Sequence, residues 1–176
     1  SWWRMDDLNS SGDLVDYMGR NNGSKQGDAV QVDNGKFGKG FSFDGDDDYI
    51  GMGDNSQFDF DEGPFTISAW AKVKGNGESG DFMNVVIKGI NQGSTGNEYY
   101  LGTRSGKFRF EADNGTSGVD GRIVADSSFS NDIWYHLVGI KNLSGGLKLY
   151  IDGIKQTEEH TVLGNVSNTF NFRIGV

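Results

Sequence analysis

Gly35-Lys-Phe-Gly-Lys-Gly-Phe-Ser-Phe-Asp-Gly-Asp-Asp-Asp-Tyr-Ile50 sets two short alternating runs on either side of a turn carrying four carboxylates, Asp44, Asp46, Asp47 and Asp48, within five residues. Phe41 and Phe43 point one way, Ser42 and Asp44 the other, which is the period-two signature of a half-buried strand. Asp44-Gly45 ends that strand with residues that tolerate positive φ, and Tyr49-Ile50 begins the next. Acids this close repel one another unless water or a cation screens them, so the turn is either a solvated hairpin tip or a calcium loop.

The same alternation recurs outward from this stretch. Phe65, Ile67, Ala69, Ala71 and Val73 share one side of a strand whose other side carries Thr66, Ser68, Trp70 and Lys72. Tyr99 to Thr103 and Lys107 to Ala112 read as a hairpin turned at Arg104-Ser105-Gly106, with Phe108 and Phe110 opposite Lys107, Arg109 and Glu111. Trp134 to Ile140 is apolar on both faces and hence central, and Leu147, Leu149 and Ile151 alternate with Lys148, Tyr150 and Asp152. A first strand at Trp2 to Met5 precedes a long polar loop from Asn9 to Asn34, and Val85 to Lys88, Ile123 to Ala125 and Phe170 to Val176 add further strands. Loops are expected at Gly75 to Asp81 and Asn91 to Asn97, with a Gly and Asn turn at Asp113 to Asp120. Roughly ten to twelve short strands at this spacing make an all-β, antiparallel, two-sheet sandwich.

Composition narrows the function. A chain of 176 residues suffices for one core, and we expect a single domain over residues 1–176. The 28 Gly against 1 Pro supply tight turns and little helix, and the absence of Cys removes disulfides and thiolate metal sites together. A net charge of −9 repels a phosphate backbone, which argues against nucleic acid as partner, and favours divalent cations. No apolar run approaches the roughly 20 residues of a membrane-spanning helix. The opening Ser1-Trp2-Trp3 has neither initiator Met nor leader, so any export signal is expected to lie outside this sequence.

Several motifs in order resemble one family: Trp3-Arg4-Met5-Asp6-Asp7, Asp16 with Gly19 and Asn22-Gly23, Gly38 to Gly45, Asp48-Tyr49-Ile50, Phe65 to Trp70, Trp134-Tyr135-His136-Leu137, Leu149 to Gly153 and Arg173-Ile174-Gly175. Together they look like the laminin G-like jelly roll of the concanavalin A-like lectin and glucanase superfamily, over the chain from Trp2 onward. The resemblance implies two antiparallel sheets, a bound calcium in many members, and secreted or cell-surface proteins that bind glycans or other proteins. The family closes with a further strand reading like Ile-Asp-Glu-Val-Arg, which this sequence lacks. We therefore expect an open sheet edge at Phe170 to Val176, available to a strand from a neighbouring chain or domain.

Candidate sites follow from chemistry. Calcium takes six to eight oxygens, and Asp44, Asp46, Asp47 and Asp48 supply some, with Asp6, Asp7 or Asp16 arriving from elsewhere. The expected ligand set is Asp7, Asp16, Asp44, Asp46 and Asp48, although Asp16, ahead of a Gly and Asn cluster, also fits an Asx-type turn. An EF-hand is excluded, because Tyr49 stands where Gly is required and Asn55 where the bidentate Glu belongs. A glycan platform needs exposed rings flanked by hydrogen-bonding groups. Trp70, Arg109, Glu111, Lys148 and Tyr150 lie on polar strand faces and would line one concave surface if their strands are neighbours. Otherwise Trp70 and Tyr150 are ordinary sheet covering.

No catalytic set emerges. Asp59, Asp61 and Glu62 lie in a Pro-terminated loop, Glu111 and Asp113 straddle a strand end, and no Ser is placed to pair with His136 or His160. Five N-glycosylation patterns, starting at Asn9, Asn22, Asn114, Asn142 and Asn165, fall nearly all in expected loops. The expected function is a non-catalytic, calcium-stabilised recognition domain, extracellular or on a cell surface, that binds carbohydrate or a surface protein. A structural spacer in a filament or surface layer is the alternative, and a glycoside hydrolase a more remote one.

Overall fold

The computed structural model describes residues 1–75, 82–90, 97–115 and 120–176. The chain enters as β1 (Trp3–Leu8), paired with β2 (Leu14–Asp16). Then come β3 (Ser24–Gln26), β4 (Val30–Val32), β5 (Gly40–Ser42), β6 (Tyr49–Gly51), a single 3-10 turn at Ser56–Phe58, and β7 (Phe65–Lys72). β8 (Phe82–Lys88), β9 (Asn97–Arg104), β10 (Lys107–Asn114) and β11 (Asp120–Val124) form a meander. β12 (Trp134–Lys141) and β13 (Gly146–Ile151) make a hairpin, followed by β14 (Ile154–Lys155), β15 (His160–Thr161) and β16 (Phe172–Ile174). Two sheets carry the fold: seven strands in the order β11-β10-β9-β8-β16-β6-β3, and five made of β14-β13-β12-β7 with β15 added on β13. Every pairing among the described strands is antiparallel, as the alternation requires of an all-β two-sheet sandwich.

The core is the layer between the sheets. Phe108, Phe110 and Ala112 from β10 and Tyr99 and Leu101 from β9 meet Phe65, Leu137, Leu147 and Leu149 from the facing sheet. Gly139 of β12 sits under the Phe110 ring, where a Cβ would collide with it, so this close approach requires glycine. Aromatic rings fill one end: Phe172 stacks on Phe58 at 4.1 Å and on Trp3 at 5.7 Å, while Phe65 stacks on Phe60 at 4.5 Å. Burying each ring contributes about 2–3 kcal/mol, and a stacked pair adds about 1 kcal/mol more.

Two expectations need correction. Asn9 to Asn34 is not a plain loop, since β2, β3 and β4 are built from it; three-residue strands carry too few alternations to register in sequence. Nor is Phe170 to Val176 an open edge. β16 lies inside the seven-stranded sheet, with Arg173 opposite Ile87 of β8 on one side and Gly51 of β6 on the other. Beyond it Val176 donates its N–H to the Asn84 carbonyl at 2.9 Å. The edges of that sheet are β11 and β3, and β7 and β14 bound the other. The loops expected at Gly75 to Asp81, Asn91 to Asn97 and part of Asp113 to Asp120 fall mostly outside the described residues.

Candidate functional site

The outward face of the five-stranded sheet is built by alternation alone. β7 turns Ile67 and Ala71 towards the core, which leaves Thr66, Ser68, Trp70 and Lys72 exposed. Register then sets His136 opposite Trp70, Tyr150 opposite Val138 and Lys148 opposite Ile140, all on this outer face. Trp70 is 39% exposed, yet its ring is held in place. It stacks on His136 at 5.1 Å and 28°, Phe37 meets it edge-on at 5.6 Å, and the Lys36 ammonium lies 4.5 Å from its centre. Phe37 is itself 69% exposed, so two rings with cationic and hydroxyl neighbours stand open to solvent together. Such a surface can stack an apolar sugar face while polar groups take up the hydroxyls.

Sequence reasoning missed the pair Ser68 and His136, whose Oγ and Nε2 lie 2.9 Å apart. The signal was present but non-local, because it needs the β7–β12 register. A nucleophile and base at this distance call for a third group to orient the base. Asp152 accepts from the His136 backbone N–H at 2.8 Å. What the pair provides is a fixed imidazole beneath Trp70.

Arg109 and Glu111 do not join this face. They belong to β10 in the other sheet and point away from the core on its far side, so the single concave surface expected from Trp70, Arg109, Glu111, Lys148 and Tyr150 is not formed. Both are buried, and the Arg109 guanidinium donates to the Glu111 carboxylate, which also accepts from the Tyr100 hydroxyl at 3.1 Å. Burial raises the Tyr100 phenol above its ordinary pKa, and the Glu111 charge adds to it. A second correction concerns the carboxylates: Asp113 lies within β10, two residues from Glu111 on the same face, with Glu98 opposite it on β9. The strand therefore does carry neighbouring acids. Glu111 is already engaged by two donors and is 2% exposed, an arrangement suited to fixing the sheet.

The acidic turn gathers Asp44, Asp47 and Asp48, each with a carboxylate oxygen within 4.8 Å of the others. Asp48 is buried, accepting from the N–H of Asp28 at 2.5 Å and of Asp44 at 3.0 Å, while Asp46 and the exposed Asp7 stand outside the group. Asp16 also lies apart, with its oxygens taken. They accept from the backbone N–H of Trp2 at 2.7 Å, Met18 at 3.0 Å, Arg20 at 3.3 Å and Asn21 at 3.1 Å, an Asx-type turn closing the β2 corner. Burial works to raise the Asp16 carboxyl, but the Trp2, Met18 and Asn21 donors outweigh it and hold it at about 2 against an ordinary 3.8.

The family model described as the Concanavalin A-like lectin/glucanases superfamily matches residues 44–176. No curated protein matches the chain. Among solved structures, the binding domain of Paraclostridial Mosquitocidal Protein 1 superposes with a TM-score of 0.73 at 19% identity, covering 95% of this chain and 42% of that one. A structure of botulinum neurotoxin type C, whose cell entry is dependent upon interaction with two ganglioside molecules, gives 0.63 at 18% identity, covering 96% and 41%. Domains LG4-5 of the mouse laminin alpha1 chain give 0.50 at 12% identity, covering 87% and 34%. At these identities the likeness is one of fold, and the chain spans less than half the length of each structure.

The Asp16 turn makes a prediction about stability. A carboxyl held below its unfolded value stabilises above about pH 4 and loses that contribution as the pH falls towards 2. Urea titrations of an Asp16→Asn variant are expected to show a deficit of about 2 kcal/mol at pH 7 that narrows between pH ~4 and ~2. A deficit constant across that range contradicts the assignment.

Proposed function

We propose that this chain, which belongs to the Concanavalin A-like lectin/glucanases superfamily, is a non-catalytic recognition domain that binds carbohydrate through the outer face around Trp70. The observation that carries this reading is the held but open indole, with His136 stacked on it and Phe37 and Lys36 at its rim. A ring fixed before binding loses little entropy when a ligand stacks on it. Ser68 and His136 beside it, with Tyr150 and Lys148 two strands away on the same face, offer donors and acceptors for hydroxyl groups. Support comes from structural neighbours that include the binding domain of a mosquitocidal protein and a neurotoxin whose cell entry is dependent upon interaction with gangliosides, and we extend to this chain a binding role at the cell surface or outside the cell. A protein partner uses the same surface in the second form of this reading, since exposed Trp and Phe are also anchors of protein interfaces.

Calcium enters as part of the proposal. The group at Asp44, Asp47 and Asp48 offers oxygen donors only, the type calcium prefers, and leaves three of the six to eight positions filled by carboxylates. Held there, the ion would neutralise the turn between β5 and β6 and stiffen the start of the seven-stranded sheet.

Two outcomes are expected. On a glycan array the chain binds at least one carbohydrate class, and Trp70→Ala weakens that binding about tenfold or more, as loss of a stacked ring implies; binding to no glycan, or equal binding by the variant, defeats the carbohydrate reading. In a thermal melt, a chelator lowers the midpoint by several degrees, and Asp47→Asn removes that sensitivity. An unchanged midpoint removes calcium from the account.

A further inference from the structure

On the far side of the molecule, over β16 and β6, lies a cleft of about 370 Å³ lined by Tyr49, Gly89, Ile90, Phe170, Asn171 and Arg173. It falls within the roughly 300–1,000 Å³ range of small-ligand sites. Its position follows from the strand pattern. Phe172 and Ile174 enter the core, which turns Asn171 and Arg173 outward, and the neighbouring β6 presents Tyr49 and the side-chain-free Gly51 on the same side. Gly51 opposite Arg173 leaves the floor open, since a Cβ there would press on the Tyr49 ring at 3.2 Å.

Arg173 is the chemical centre. It donates one hydrogen bond to the Gly89 carbonyl at 2.9 Å and lies 5.7 Å over the Tyr49 ring, two contacts that fix its plane. A guanidinium has five N–H donors, so most remain for a ligand. Among the described residues no carboxylate lies in ion-pair range of Arg173, in a chain whose acids outnumber its bases by 25 to 16. Glu98, packed against Gly89, is buried, and its Oε2 accepts from the Ile90 N–H at 3.3 Å. The walls are apolar, with Ile90 40% and Phe170 38% exposed.

An unpaired, oriented guanidinium between an aromatic and an aliphatic wall suits a carboxylate borne on a small ring. We propose that this cleft is a second binding site, on the opposite sheet from Trp70, for a carboxylate-bearing sugar of the uronic acid type. The carboxylate pairs with Arg173, the ring lies between Phe170 and Ile90, and Asn171 meets its hydroxyls. This site does not depend on the Trp70 surface.

Calorimetric titration of the whole chain with methyl glucuronide, methyl glucoside and acetate separates the ring from the charge. The glucuronide is expected to bind saturably, and tighter than either fragment of its chemistry. Arg173→Gln weakens it about tenfold or more, while Arg173→Lys, which keeps charge without the fork, restores part of the loss. Trp70→Ala leaves it unchanged. Should Arg173→Gln fail to fold, Ile90→Glu, a change at an exposed position that sets a repelling carboxylate in the cleft, is expected to abolish binding. Equal binding of glucoside and glucuronide, of acetate and glucuronide, or of wild type and Ile90→Glu overturns the proposal.

Discussion

The insertion of Phe172–Ile174 between β8 and β6 is the constraint on which the rest of the structure depends. Three remote segments meet there: residues around 50, around 87 and around 173. Closing such long loops costs entropy before any contact is gained, and the return comes from burial. Phe172 supplies much of it by lying between Phe58 and Trp3 within reach of Tyr99, whose hydroxyl donates to the Phe58 carbonyl at 2.8 Å. Lys88 reinforces the same junction. Fully buried, it reaches Asp54 at 3.0 Å, Asp59 at 3.1 Å and the carbonyls of Asn168 and Phe170, so one ammonium ties the segment before β16 to the loop before β7. Removing one partner from a buried ionic junction of this kind is costly, which makes it a device for holding one arrangement.

Because each sheet buries one face in the common core, each has one face left for chemistry, and the two are back to back. Their characters differ. The five-stranded sheet shows aromatic rings with polar neighbours, centred on Trp70 and His136. The seven-stranded sheet holds the buried, engaged cluster Arg109, Glu111 and Tyr100 on its outward side, and among the described residues a cleft opens over β16 and β6. Similar strands thus give one broad platform and one narrow cleft. A second buried lysine, Lys141, shows how charge is managed inside the sandwich. Burial lowers its pKa, the Glu62 charge pulls the other way, and the ammonium donates to the carbonyls of Glu62 and Gly63 at 2.8 and 3.2 Å.

Much of this was legible in the sequence. Alternation placed β7, β10 and β13 with their two faces and predicted that Trp70 shares a face with Ser68 and Lys72, while an apolar run marked β12 as a central strand. Asp16 ahead of Gly19 and Asn22 announced its turn. Period two says which residues share a face; it does not say which strands are neighbours. That is why the sequence alone sets Arg109 and Glu111 beside Trp70, does not reveal the Ser68 and His136 pair, and leaves the β16 segment as an edge. Each error concerns sheet order, which is fixed by pairing between distant segments. The cleft around Arg173 escaped for the same reason, since its lining comes from residues 49, 89–90 and 170–173.

If β16 is the interior strand that locks both faces, its amides are among the most protected in the molecule. Hydrogen exchange read residue by residue tests this directly. The account predicts that the amides of β16 that pair with β8 and β6 exchange as slowly as those of β8 and β9, through global unfolding. Exchange at these positions near the rate of a free peptide, with β8 and β9 still protected, would contradict it.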